Sequence, residues 1–472
     1  MKPVRMGLLL CLAALVAACG GGGGSSSNNS GGSNPPPIST CSLRDRQNWA
    51  AAQIREWYFF PETLPASLDP APYPSVDAYI DALTASARAQ GRDRFFTYIT
   101  SIAEENAFIN SGQSAGFGIR LAIASGTRLF VAEAFEGAPG LAAGIDRGTE
   151  ILAIGTSSAN LRTVSSILAS EGSGGITNAL GPNTAGTTRV LRITDAGGTR
   201  EVTVAKADFE LLPVSTRYGA QIINDGGRQV GYVNLRTFIG TADPALRNAF
   251  AQFRAAGITE IIVDFRYNGG GLVRIADLMG DLLGGNRTAS DVFSYTVFRP
   301  EKSSLDETRR FQVQPQSVSP TRIAFIGTGG TASASELVIN AFIPYLGSST
   351  ALVGTNTFGK PVGQVAIDRA ACDDRLRVVA FATQNAARQG AYYNGLAGVM
   401  PATCQAGDDI SRPLGDPQEA SVARALDFLA GRSCNPITSG IAAQTLRAPD
   451  ERRELLTPER PSAAQRDVPG LF

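Results

Sequence analysis

Hydrophobic and polar positions change period several times along the chain, and each change marks a part of the protein. Leu8 to Ala18 is an unbroken apolar run of eleven residues. After it, Trp49, Ile54, Trp57 and Tyr58 recur at helical spacing, and Val76, Tyr79, Ile80 and Leu83 predict a second helix. Prolines 61, 65, 70, 72 and 74 break the pattern between the two. From Ser114 the period shortens to β-type runs divided by glycine: Gly116 to Ile119, Leu129 to Val131, Thr188 to Ile193 and Arg200 to Val204, the last two around Gly197-Gly198. Beyond residue 215, strand and helix patterns alternate. Val230 to Leu235, Ile258 to Val263, Arg322 to Ile326 and Ala351 to Val353 read as strands; Ala245 to Ala256 and Ser333 to Phe342 read as helices. Such alternation implies crossover connections and a largely parallel sheet flanked by helices. The expected fold is therefore α/β, an α+β multidomain chain. Its parts are residues 41–112 (helical), 113–208 (β), 209–435 (α/β core) and 436–472, a loosely ordered tail rich in Arg, Glu and Pro.

Composition narrows the chemistry. The chain has 472 residues, 42 basic and 42 acidic side chains and no histidine. Balanced charge argues against nucleic acid as a partner. The missing imidazole removes Ser-His-Asp and Cys-His nucleophile–base pairs and HExxH zinc sites. Any catalytic base must be another group, and no metal or other cofactor is implied.

Lys2 and Arg5 ahead of the apolar run make residues 1–18 an export signal, since eleven apolar residues are too few to span a bilayer. Val16-Ala17-Ala18-Cys19 resembles the bacterial lipobox, which implies lipidation of Cys19 and a lipid-anchored location in the cell envelope, at the outer membrane. Residues 19–40, rich in Gly, Ser and Asn and ending in Pro35-Pro36-Pro37, suit a tether. Loss of residues 1–18 leaves 40 basic against 42 acidic groups. Four cysteines then remain for disulfides, with three possible connectivities. The favoured pairs are Cys372–Cys404, bracketing a strand-rich segment, and Cys41–Cys434, tying the two ends of the folded body.

Three segments of the core carry candidate chemistry. Thr331-Ala332-Ser333-Ala334-Ser335-Glu336 sits at a strand-to-helix junction, where small residues admit a substrate backbone and a helix N-terminus favours negative charge. A serine there serves either as an N-cap or as a nucleophile, the latter only if a base takes its proton. Lys360, one of few lysines, lies among Phe358, Gly359, Pro361 and Val362. Desolvation there disfavours its charged form; a base working near neutrality needs a fall from about 10.4 towards 7. Asn268-Gly269-Gly270-Gly271 ends an apolar strand and offers backbone N–H groups to an oxyanion.

Together, "DFRYNGGG", "TASASE" and "TFGKPVGQ", in this order, resemble the C-terminal processing (tail-specific) serine peptidase family, over about residues 45–435. Gly116-Phe117-Gly118-Ile119, followed by "EGAPGLAAGI" and "GTEILAIG", is similar to the circularly permuted PDZ domains of bacterial proteases. That likeness implies a strand edge that captures peptides by β-augmentation at residues 116–119. The family resemblance implies Ser333 as nucleophile, Lys360 as general base and Gln364 as the residue orienting the lysine. It also implies an oxyanion hole from the N–H groups of Ala334 and one glycine of the triplet, Gly270. Departures are Thr331 for a serine, Pro361 for a glycine, Ala402 for an acid after Gly398-Val399-Met400-Pro401, and a Ser333–Lys360 spacing of 27 residues. The usual spacing would point to Ser335 instead. The expected function is an exported serine endopeptidase acting on protein or peptide substrates. The alternative is a catalytically silent peptide-binding lipoprotein, and a regulatory adaptor is left open.

Overall fold

A computed structural model describes residues 41–438 and 453–472; Cys19, the export signal and the tether lie outside them. The helix Leu43–Trp57 starts at Ser42, whose hydroxyl accepts from Asp45 N–H, and Val76–Leu83 starts in the same way at Ser75. Their apolar faces bury Ile54, Tyr58, Tyr79, Ile80 and Leu83 against Val362, Leu376, Val378 and Val379. The N-terminal helices thus share a core with the long hairpin Val362–Arg369 and Asp374–Gln384. That hairpin belongs to a five-stranded sheet that also holds Tyr98–Ser101, Val292–Phe298 and Glu307–Arg310.

The central sheet has six strands, ordered Ala220–Asp225, Arg228–Asn234, Glu260–Asp264, Arg322–Gly327, Thr350–Gly354 and Thr403–Gln405. Only the first pair is antiparallel. The strands Glu260–Asp264 and Arg322–Gly327 are apolar on both faces because helices cover both. Ala242–Ala255, Val273–Leu283 and Ala334–Leu346 bury one face, and Ala420–Leu429 buries the other. The expected α/β core with a largely parallel sheet is present.

Residues 119–205 build a separate sheet whose order is Ile119–Ala124, Arg128–Ala134, Glu150–Gly155, Thr188–Asp195 and Gly198–Ala205. This β module is tied to the core by buried ions. Glu133 accepts from Arg120 Nε at 3.1 Å and from Arg236 Nε at 2.7 Å, and Glu136 accepts from Arg236 at 2.8 Å. Burial alone would raise the Glu133 carboxyl, but the Arg236 and Arg120 guanidiniums outweigh it and hold it at about 2. Arg147 of the module reaches Asp408 at 2.8 Å, and Asp408 also pairs with the fully buried Arg266.

Two expectations are corrected. The disulfides are Cys41–Cys372 and Cys404–Cys434, not Cys372–Cys404 and Cys41–Cys434. Cys372 lies in the turn between the two hairpin strands on which the N-terminal helices pack, so Cys41 is its neighbour. Cys404 lies in the last parallel strand, where the chain returns after Ala420–Leu429 and Gln405 N–H donates to Asn435 O at 2.7 Å. The C-terminal stretch is not a loose tail over its described part. Arg453–Leu455 adds a strand to the β module beside Ile119–Ala124, Ala463–Asp467 is a short helix, and Leu456, Val468, Leu471 and Phe472 are buried. Its few apolar residues show no period, yet Leu456 and Phe472 join the core of the β module and Val468 and Leu471 join a second cluster.

Glu133→Ala leaves Arg120 and Arg236 buried without their shared carboxylate. The expected loss is about 3–5 kcal/mol, read from the urea midpoint of the full chain.

Candidate active site

All three motifs follow carboxyl ends of adjacent parallel strands. Asn268 to Gly271 comes after Glu260–Asp264, residues 328–336 after Arg322–Gly327, and residues 355–364 after Thr350–Gly354. In open α/β sheets this rim is where ligands bind.

Ser333 stands immediately before the helix Ala334–Leu346 with φ 56° and ψ −114°, a region that costs a non-glycine residue free energy. Gly270 crosses beside it: a Cβ there would lie 2.8 Å from Ser333 Cβ and 3.2 Å from Ala334 N. Glycine is therefore required by close approach. The structure brings Ser333, Ala334 and Gly270 together, but the Gly270 N–H already donates to Asn268 Oδ1 at 2.9 Å. Ser335, the other serine of the motif, is fully buried and donates its hydroxyl to Asn268 O at 3.1 Å.

Lys360 Nζ donates to Gln364 Oε1 at 3.0 Å and lies 4.9 Å from the centre of the Phe96 ring. Gln364 in turn donates to Phe96 O, so the glutamine holds the amine in place. Burial pushes the amine down to about 8, and the Asp467 carboxylate opposes that shift. Among the described residues no hydrogen bond joins Ser333 Oγ to Lys360 Nζ; in this state the amine rests on Gln364.

Glu336, the last residue of the serine motif, is central although the motif alone assigns it no role. It is fully buried and accepts four hydrogen bonds: from Thr357 Oγ1 (2.6 Å), Gly359 N (2.7 Å), Lys360 N (2.7 Å) and Ser333 N (3.1 Å). Burial raises its carboxyl, while the donors lower it. The signal was available, because Ser-x-x-Glu is the spacing of a capping box. Arg94, from the N-terminal part, was not foreseen. Its guanidinium donates to Phe358 O and Gly359 O, both at 2.7 Å, and supports the lysine loop from outside the core.

A cavity of about 1270 Å³ opens over this rim, lined by Gly269, Ala332, Lys360 and Gln364 on one side and by Arg466, Asp467 and Pro469 on the other. Residues 229–392 match peptidase family S41. These residues form an S41 peptidase domain. The chain is 29% identical over 296 residues to carboxyl-terminal-processing peptidase 3, chloroplastic, of Arabidopsis thaliana, covering 61% of this chain and 54% of that one. It is 27% identical over 276 residues to the chloroplastic C-terminal processing peptidase of Tetradesmus obliquus, covering 55% and 54%. The matched span is thus about half the length of these curated relatives. A solved Bacteroides fragilis structure assigned to the S41 proteases shares the fold, with TM-score 0.64 and 21% identity over 81% of this chain and 97% of that chain. The Gly116 to Ile119 segment is in the β module rather than at the S41 rim, with Phe117 and Ile119 fully buried.

Glu336→Ala strands four donors inside the S41 domain. The expected loss is at least about 3 kcal/mol in chemical denaturation, with Glu336→Gln costing less because it still accepts through its carbonyl oxygen.

Proposed function

We propose that this chain is an exported serine-type peptidase that cleaves proteins or peptides through Ser333 and Lys360. The observation carrying the reading is that one buried carboxylate, Glu336, holds the backbone of both residues at the rim of the sheet. Ser333 on its strained junction is the nucleophile. Ser335 is a poor candidate because its hydroxyl is buried and already donates to backbone.

In the reaction, the neutral Lys360 amine takes the hydroxyl proton as Ser333 Oγ attacks the scissile carbonyl. The carbonyl oxygen gains the negative charge at the start of the helix Ala334–Leu346, near Ala334 N–H. The protonated lysine then gives its proton to the leaving amine, and an ester on Ser333 remains. Water, deprotonated by the same lysine, hydrolyses that ester. For the first step the amine must turn from Gln364 towards Ser333. Gln364 is the positioning residue that accepts from the amine between steps.

The relatives' names speak of carboxyl-terminal processing, which supports substrates engaged near their C-termini. In this reading the β module is a PDZ-like element, with Gly116 to Ile119 as its peptide-binding edge. In the same reading, the exported protein with a lipid on Cys19 carries its catalytic part in the cell envelope outside the cytoplasm.

Ser333→Ala and Lys360→Ala are each expected to lower casein cleavage more than about a hundredfold while the fold persists. Equal activity in either variant overturns the assignment. The lysine must be neutral to act, and its pKa is lowered to about 8. Activity should therefore rise about tenfold per pH unit below 8 and level off above it, as measured by kcat/KM across pH 6 to 10. A profile already flat at pH 6.5 would remove Lys360 as the base.

A further inference from the structure

The described C-terminal segment follows a path set more by backbone than by side chains. Arg453–Leu455 pairs antiparallel with Ile119–Ala124, and Leu456 N–H donates to Leu121 O at 2.9 Å. The chain then leaves this edge, crosses the cleft and returns to the same strand. On its return, Leu121 N–H donates to Gly470 O at 2.8 Å and Ile119 N–H to Phe472 O at 3.2 Å, while Phe472 N–H donates to Ile119 O at 2.9 Å. Gly116 accommodates the approach: a Cβ there would lie 2.7 Å from the Phe472 carbonyl carbon.

Between its two contacts with the edge, the segment enters the S41 rim. Gly269 N–H, from the glycine triplet, donates to Asp467 O at 2.9 Å. Arg466 donates to Phe95 O at 2.9 Å and lies 3.7 Å from the Tyr98 ring centre. The short helix here begins at Ser462, and Gln465 Nε2 closes the excursion by donating to Leu471 O at 2.8 Å. The apolar anchors fill two different sites. Phe472 joins Phe117, Ile119 and Leu121 in the core of the β module, whereas Leu471 packs with Phe108, Phe135 and Phe209. A single stretch of extended and turning backbone thus covers one strand edge and walls part of the rim cavity. Strand addition supplies affinity through main-chain bonds and specificity through the pockets that take side chains.

We propose that residues 453–472 are an internal ligand of the peptide path, and that peptides this chain binds compete with it through an apolar pair standing where Leu471 and Phe472 stand. The inference rests on the peptidase reading only for what happens to a bound peptide; the docking itself does not depend on it. A tethered ligand acts at high effective concentration, so a free peptide binds the full chain weakly until the segment is displaced.

The test uses the full chain carrying Ser333→Ala, which prevents cleavage of the probe. The probe is a fluorescent peptide ending in Val-Pro-Gly-Leu-Phe. Leu471→Asp with Phe472→Asp should tighten its binding at least tenfold, and a probe ending in Asp-Asp should not bind. Equal affinity with and without the two substitutions overturns the proposal. A second measurement needs no change in the segment and so guards against misfolding. Saturating probe should speed hydrogen exchange across residues 463–472 while the Ile119 and Leu121 amides stay protected; unchanged exchange at saturation also overturns it. Casein cleavage by the same proteins with Ser333 intact separates the two readings. Tighter probe binding without any cleavage leaves the internal ligand standing and removes the peptidase. Cleavage without a change in probe binding does the reverse.

Discussion

A single buried carboxylate organises the rim of the central sheet. Glu336 gathers donors from its own helix start and from the following loop, and so fixes Ser333 and Lys360 to one another through backbone rather than side chains. A buried charge of this kind is tolerable only when its lone pairs are occupied, and here four donors occupy them. The side chains of Ser333 and Lys360 take no part in that contact, and in this state the lysine amine rests on Gln364. Fixed backbone beneath flexible side chains suits the proposed reaction, in which the lysine serves both a serine hydroxyl and a water molecule.

The same logic extends outwards. Carboxyl ends of three adjacent parallel strands deliver the three motifs to one place, and elements from outside the S41 domain complete it. Arg94 and Phe96 come from the N-terminal part, whose helices pack on the hairpin that carries Gln364. The β module is held by Glu133 and Glu136 on Arg236 and by Arg147 on Asp408. These contacts are buried and charged, so they specify orientation more than they add stability. Residues 453–472 touch both the module's edge strand and the rim.

Much of this was legible because local patterns carry it. The alternation of strand and helix patterns gave the parallel sheet, and the glycine-rich triplet and small-residue junction marked the rim. With no histidine in the chain, a lysine in an apolar setting such as Lys360 is a candidate base. Glu336 was legible in principle, since its spacing from Ser333 is that of a capping box, but the spacing alone does not say that the carboxylate also receives Gly359 and Lys360 from another loop. Ser333 and Ser335 were not separable by spacing; burial and the Asn268 contact distinguish them.

The sequence by itself determined the class of fold, the order of its parts and the residue types available for proton transfer, because periodicity and composition are properties of neighbouring residues. Only the tertiary structure decided the disulfide partners, the cooperation of Arg94 with the lysine loop and the place of residues 453–472. Each of these joins residues far apart in the chain: Cys41 meets Cys372, Arg94 meets Gly359, and Phe472 meets Ile119. The C-terminal stretch is the clearest case. Its polar composition suggested a loose tail, yet strand pairing draws on main-chain donors and acceptors that every residue but proline carries in full, so composition does not reveal it.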